Sequence, residues 1–228
     1  MIFGGIQHTS TIDFPGVLAA VLFVRGCNLD CFYCYNRGLM SLVGETLPVD
    51  AVKDFLEKHR GKLDGIVLSG GEPTIHDDLP EFLAYIKSLG YKVKLDTNGQ
   101  LPAVTEQLAK AGLVDYFAVD FKSLPRNSHY ATGSEQSSMN SMETVKLLLR
   151  AGVPLEARTT LYPGLTEEDI LTMTAMLPPL PAYRLEYFRM PEDVQDKDAA
   201  VWRQHSLTPE EVKALLPKLL ESQPNIII

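Results

Sequence analysis

Six stretches of the chain hold apolar, β-branched or aromatic residues on successive positions, and each is followed by a segment whose apolar residues recur at helical spacing. The strand-like stretches are residues 18–24 (LAAVLFV), 65–70 (GIVLSG), 92–97 (KVKLDT), 116–121 (YFAVDF), 154–161 (PLEARTTL) and 184–190 (RLEYFRM). Several are apolar on consecutive positions, as in strands covered on both faces. Between them, residues 48–60 place Val49, Val52, Phe55 and Leu56 on one helical face, and residues 78–90 do so with Phe82, Leu83, Ile86 and Leu89. Residues 101–112, 141–152 and 166–177 read similarly, and Gly90, Gly112 and Gly152 supply C-terminal stops. A last helical segment, residues 208–222, opens with Thr208 three positions before Glu211, a capping signature, and contains Pro217, which is expected to interrupt or bend it. Strand–helix alternation repeated about six times predicts a parallel sheet with helical crossovers. Six units are too few for an eight-fold barrel. The expected fold is therefore α/β, a partial (β/α)6 barrel with parallel strands, in a single domain spanning residues 1–228. The polar, Ser-rich interval 123–138 follows the C-terminal end of a strand and reads as either a functional loop or a plain surface loop.

Composition narrows the picture. With 228 residues and 45% hydrophobic content, the chain can bury a substantial core. Its net charge of −8 argues against a nucleic-acid or anionic-membrane partner, though not against one basic pocket. The opening MIFGGIQHTST lacks a basic region followed by an apolar run, and the longest strongly apolar run, residues 17–24, is shorter than the roughly 20 residues that span a bilayer. The expected location is cytoplasmic, where clustered cysteines favour a metal or redox site over a disulfide.

All three cysteines lie in one stretch, RGCNLDCFYCYN, as Cys27, Cys31 and Cys34. The turn-like neighbours Asn28, Asp30 and Asn36 fit poorly with a buried packing role. A zinc site would need a histidine, and none of His8, His59, His76, His129 and His205 sits in a short pairing pattern with these thiols. An iron–sulfur cluster on three thiolates leaves one iron without a protein ligand, which for catalysis is an opening, as at a catalytic zinc. The Cys-x3-Cys-x2-Cys spacing after a strand resembles the signature of the radical S-adenosylmethionine (SAM) enzymes, in which SAM supplies the missing ligand. LSGGEPT (residues 68–74) resembles the Gly-Gly-Glu-Pro element of that superfamily, whose glycines allow close backbone approach. DTNG (96–99), DFK (120–122) and RTT (158–160) fall at or near the C-terminal ends of later strands, where such a barrel builds its site. Asp96 suits ribose hydroxyls, and Lys122 and Arg158 suit a carboxylate. Taken singly, each also reads as an ordinary surface charge.

Together these elements resemble the glycyl-radical-enzyme activase branch of the radical SAM superfamily, and within it most the activating protein of anaerobic ribonucleoside-triphosphate reductase. The similarity runs from GGIQHTSTIDFPG (4–16) to RTTLYPGLTEEDI (158–170) and is thin afterwards. The resemblance implies one [4Fe-4S] cluster on Cys27, Cys31 and Cys34, and SAM as second cofactor. It places Tyr33 and Tyr35 along the adenine, Gly70, Gly71 and Glu72 at the methionine amino group, and Asp120 and Lys122 on the methionine part. Asp96, Thr97, Asn98, Arg158 and Thr160 complete the implied SAM-binding set, with Phe188 as the contact from the last strand. Many relatives carry histidine after the third cysteine, where this chain has Tyr35; an aromatic ring keeps the stacking surface. The implied reaction cleaves SAM reductively and draws hydrogen from a glycine of a partner, a glycyl-radical enzyme such as anaerobic ribonucleotide reductase, with flavodoxin or ferredoxin as electron donor. It asks for no catalytic acid or base from the chain. Two other readings remain open: a small-molecule radical SAM enzyme resembling the 7-carboxy-7-deazaguanine synthases, and a non-enzymatic cluster carrier.

Overall fold

Each of the six apolar stretches becomes a strand of one sheet in the computed structural model, which describes residues 1–190 and 200–228. The strands are β1 (Phe3–Ser10), β2 (Ala19–Val24), β3 (Gly65–Gly70), β4 (Lys92–Thr97), β5 (Tyr116–Asp120), β6 (Leu155–Leu161), β7 (Tyr183–Tyr187) and β8 (Ile226–Ile227), lying side by side in that order. From β2 to β8 every neighbouring pair is parallel. The crossovers are α1 (Val49–Lys58), α2 (Leu79–Ser88), α3 (Pro102–Lys110), α4 (Ser128–Thr132) with α5 (Ser137–Ala151), α6 (Glu167–Met176) and α7 (Pro209–Ser222). β1 and β8 form the two edges and do not pair with each other, so the sheet is an open, partial barrel.

The two faces of the sheet are chemically different, because side chains alternate along each strand. Leu22, Ile66, Leu68, Val93, Leu95, Phe117, Val119, Leu155 and Ala157 point to the helices and join the main core with Val52, Leu56, Leu83 and Ile86. On the other face, Ala19, Val21 and Val67 form a small apolar floor with Phe14 and Val17. Lys94 stands in register with Val67, and from there the concave face turns polar. Asp96, Asp120 and Arg158 follow on β4, β5 and β6, with Asp120 and Arg158 in register and Arg158 opposite Arg184 of β7.

Four features depart from the sequence reading. β1 is a strand, antiparallel to β2, so the sheet is mixed at one edge; its FGGIQHTS is too rich in glycine and polar residues to register as one. β8, two residues at the other edge, is likewise a strand the six apolar stretches do not include. The interval 123–138 is largely helical rather than a loop, and Ser123, Ser128, Ser137 and Ser138 are buried. Ser128 and Ser138 share a hydroxyl contact of 2.9 Å, and the Ser138 amide donates to Ser128 Oγ at 2.9 Å; these hydroxyls meet local main-chain groups instead of solvent. Finally, α7 runs unbroken through Pro217. Its capping box at Thr208 and Glu211 and its buried face of Val212, Leu215 and Leu219 offset the lost hydrogen bond.

Candidate functional site

The cysteine loop leaves the C-terminal end of β2 and is held from three sides. The Cys27 amide donates to Met40 O at 3.0 Å, and the Cys34 amide turns back to Cys31 O at 3.1 Å. From the far side of the barrel, Thr132 O at the end of α4 accepts the Asp30 amide at 2.9 Å. The Ser-rich interval thus buttresses the cysteine loop. Cys31 is buried, Cys27 and Cys34 are half-buried, and none forms a disulfide. Burial raises all three thiols, and Cys31 is pushed up to about 12. Among the described residues, no three His, Cys, Asp or Glu side chains converge as the ligands of a single metal ion would, so the zinc reading gains no histidine from the fold.

All three cysteines face a cavity of about 740 Å³ at the C-terminal ends of the strands. Every candidate SAM-binding residue read from the sequence lines the same cavity: Tyr33, Tyr35, Gly70, Gly71, Glu72, Asp96, Thr97, Asn98, Asp120, Lys122, Arg158 and Thr160, and Phe188 with them. Their side chains are not equally open to a ligand, and the structure separates those that hold the site together from those that face it.

The Gly-Gly-Glu turn belongs to the first kind. A Cβ on Gly71 would stand 2.0 Å from Gly26 O, and one on Gly70, whose φ is +114°, would stand 2.5 Å from the Val24 backbone. The glycines are therefore required by the close approach of this turn to the cysteine loop, where Gly71 N donates to Val24 O and Glu72 N to Gly26 O. Glu72 is fully buried. Its Oε1 accepts from Thr74 N (3.0 Å), Thr74 Oγ1 (2.6 Å) and Thr97 Oγ1 (2.8 Å), and its Oε2 from Asn98 N (2.6 Å). Burial raises the Glu72 carboxyl despite these bonds. Thr97 and Asn98 are likewise used internally: Asn98 Nδ2 reaches Asn28 Oδ1 at 2.8 Å and Cys27 Sγ at 3.8 Å.

Tyr33 lines the cavity but is mostly enclosed by protein. It stacks on Tyr162 at 4.6 Å, and its hydroxyl donates to Lys122 O at 3.3 Å, within an aromatic cluster that includes Phe32 and Trp202. Only 5% of it is exposed, against 61% of Tyr35, so Tyr35 is the tyrosine of this pair with an open ring. Phe188 stacks on Trp202 at 5.4 Å.

The charged residues form one alternating chain across the concave face. Lys122 Nζ lies 3.0 Å from Asp120 Oδ2, and Arg158 reaches Asp120 Oδ1 at 2.9 Å and Asp96 Oδ2 at 3.1 Å. Lys94 Nζ follows at 2.6 Å from Asp96 and 3.8 Å from Glu156, which Arg184 meets at 3.4 Å. Burial works against the charge on Asp120, but Arg158 and then Lys122 outweigh it and hold the carboxyl down at about 2. Asp96 is lowered against the same burial cost by Arg158 and Lys94. Ser69 Oγ also donates to Asp96, so three donors already occupy a carboxylate with about four acceptor positions. Its capacity for ribose hydroxyls is correspondingly small. Lys122 and Arg158 keep N–H donors beyond those used by the aspartates, and both line the cavity.

Lys94 and Glu156 escaped the sequence reading, as did the cavity-lining Gln7, Asp13, Met40, Arg184 and Glu186. For the strand residues a signal existed: charges at positions 94 and 96, 156 and 158, and 184 and 186 alternate within otherwise apolar strands. Gln7 and Asp13 come from the β1 region, and β1 itself was not foreseen.

Residues 21–177 match the family model of the Radical SAM superfamily. The chain belongs to the radical SAM superfamily. Enzymes of this superfamily use a [4Fe-4S] cluster and SAM. This radical SAM protein is 35% identical over 208 residues to a provisionally named glycyl-radical enzyme activating enzyme of Methanocaldococcus jannaschii, covering 86% of this chain and 83% of that one. It is 29% identical to the pyruvate formate-lyase-activating enzyme of Streptococcus mutans over 72% of this chain and 66% of the relative. Among solved structures, SuiB of Streptococcus suis bound to SAM superposes with a TM-score of 0.66 at 14% identity, over 91% of this chain and 51% of that one, a likeness of fold. No helix among the described residues is long and apolar enough to cross a membrane.

Proposed function

We propose that this chain is a glycyl-radical activase whose [4Fe-4S] cluster sits on Cys27, Cys31 and Cys34 and whose SAM lies along the charged face of the cavity. The observation that carries the reading is the juxtaposition, in a single cavity, of three thiols that form no disulfide and two cations that keep N–H donors beyond those given to the aspartates. The donor set fits the cluster: all three thiols come from one loop and line the cavity, and among the described residues no histidine lines it with them. When bound, the two cofactors supply an electron and a 5′-deoxyadenosyl radical able to take hydrogen from a glycine Cα.

The chain's own residues bind and orient. Lys122 and Arg158, fixed by Asp120 and Asp96, offer paired donors to the SAM carboxylate. Gly70, Gly71 and Glu72 present main chain to the methionine amino group, while the Glu72 side chain ties that turn to Thr97 and Asn98. Tyr35 and Phe188 offer ring faces toward the adenine; Thr160 borders the same space. Tyr33 acts from behind, through its bond to Lys122 O. Asp96 works as the partner of Arg158 and Lys94, not as a free acceptor.

The cavity is bordered by both sides of the open barrel, by Gln7, Ile12 and Asp13 on one side and Tyr187, Phe188 and Arg189 on the other. Ile12 is 85% exposed, and the rim around it is mixed, with Gln7, Asp13 and Arg189 beside Tyr187 and Phe188. The similarity to activating enzymes supports a glycyl-radical enzyme as substrate; anaerobic ribonucleotide reductase as that partner, and flavodoxin or ferredoxin as electron donor, rest on the resemblance of the sequence motifs alone. The test is anaerobic. Reconstituted, reduced protein is mixed with SAM and the glycyl-radical subunit of that reductase, and the partner is examined by electron paramagnetic resonance. A glycine-centred doublet is expected; SAM cleavage that the partner neither accelerates nor converts into a doublet would refute the activase reading.

A further inference from the structure

Arg25 immediately precedes Gly26 and Cys27 and is 94% buried, with 6% exposed. Burying a guanidinium is costly unless its donors are met, and here they are met by main-chain oxygens alone among the described residues. Nε donates to Ser41 O at 3.1 Å, Nη1 to Glu45 O at 3.2 Å, and Nη2 to both Gly38 O and Val43 O at 2.7 Å. Four of the five N–H groups are thus engaged, all with one segment, residues 38–45.

The tip of that segment lies outside the core, with Leu42 53% and Val43 83% exposed. Glycines open the space for the guanidinium: a Cβ on Gly44 would stand 2.1 Å from Nη2, and one on Gly4 would stand 3.1 Å from Arg25 Cγ. The fastened segment acts back on the cysteine loop, because Leu39 O accepts Gly26 N at 2.8 Å and Met40 O accepts Cys27 N at 3.0 Å.

We propose that Arg25 is a positioning residue for the cluster loop: by gripping four carbonyls of residues 38–45 it fixes the strap whose Leu39 and Met40 carbonyls set where Cys27 stands. The proposal rests on Cys27 being a cluster ligand, as proposed above. It predicts that loosening the grip from either side weakens cluster retention more than it weakens the fold. Arg25→Lys keeps the charge but forfeits the planar fork. Gly44→Ala leaves Arg25 intact and pushes the strap away from it.

The experiment follows iron loss from the reconstituted protein to an excess of a ferrous chelator, beside the thermal midpoint of each metal-free chain. Both variants should release iron at least roughly tenfold faster than the parent, the usual scale for losing an outer partner of a metal ligand. Because Gly44 has a φ of +148°, Gly44→Ala should lower the thermal midpoint of the metal-free chain by a few degrees while iron release rises about tenfold, and it carries the test alone if Arg25→Lys fails to fold. Parental release rates in Gly44→Ala would overturn the proposal. A parent that binds no iron at all would instead strike at the cysteine ligands.

Discussion

Replacing Glu72 by Gln isolates what its carboxylate does. The side chain is fully buried and accepts four hydrogen bonds, three at Oε1 and one at Oε2 from the Asn98 amide at 2.6 Å. A glutamine keeps an oxygen for the three donors on Oε1 but turns an NH2 toward the Asn98 N–H, so that two donors face each other. Losing a hydrogen bond to a charged acceptor costs about 1.5–3 kcal/mol, and a buried amide left unmet costs about 1–3 kcal/mol. Against this, removing the buried charge relieves some desolvation, since burial already raises this carboxyl. The net expectation is a loss of about 3 kcal/mol, a large share of the ~5–15 kcal/mol typical of a domain. With a urea slope of ~2 kcal/mol/M the unfolding midpoint of the metal-free chain should fall by about 1.5 M. The reconstituted variant should also bind SAM more weakly, because the Gly-Gly-Glu turn is no longer tied to Thr97 and Asn98. A midpoint shift below about 0.5 M would refute the view that Glu72 is the tie between the two loops.

Other substitutions read other parts of the account. Gly71→Ala places a methyl 2.0 Å from Gly26 O and should abolish cluster loading while far-ultraviolet circular dichroism stays near that of the parent; parental iron content would contradict it. Gln223 is fully buried, donating to Thr174 O, Leu177 O and Pro178 O and accepting from Leu180 N, so Gln223→Leu should lower unfolding free energy by about 3 kcal/mol and speed amide exchange in α7. Asp120, lowered from 3.8 to about 2, contributes stability that is present above its unfolded value and lost as pH falls toward 2. That contribution is about 2 kcal/mol, so urea titrations of the metal-free chain at pH 5 and pH 2 should show a difference that shrinks by about that amount in Asp120→Asn.

Much of the frame was legible because burial leaves a direct mark on sequence. β3 and β4 begin and end where their apolar runs do, and Gly90, Gly112 and Gly152 take positive φ just beyond the helices they were expected to stop. β1 was not legible: an edge strand makes fewer demands on its side chains, and FGGIQHTS meets few of the ordinary ones. The Ser-rich interval misled for another reason. Hydroxyls that satisfy neighbouring main chain look polar in sequence yet are buried, as Ser128 and Ser138 are. Within the site, the motifs located the cavity but not the division of labour inside it. Glu72 and Tyr33 look like ligand contacts from their positions, whereas their bonds to Asn98 N and Lys122 O show side chains facing the protein. That distinction lies in three-dimensional partners up to 89 residues apart, which no local pattern carries.

The most direct measurement follows the hydrogen itself. A glycyl-radical subunit of anaerobic ribonucleotide reductase, prepared with glycine deuterated at Cα, is incubated with the reduced, reconstituted chain and SAM, and the 5′-deoxyadenosine formed is weighed by mass spectrometry. Deuterium transferred into 5′-deoxyadenosine, together with a glycine radical on the partner and neither product with Cys34→Ala, is the predicted result. Unlabelled 5′-deoxyadenosine and no radical on the partner would contradict the account.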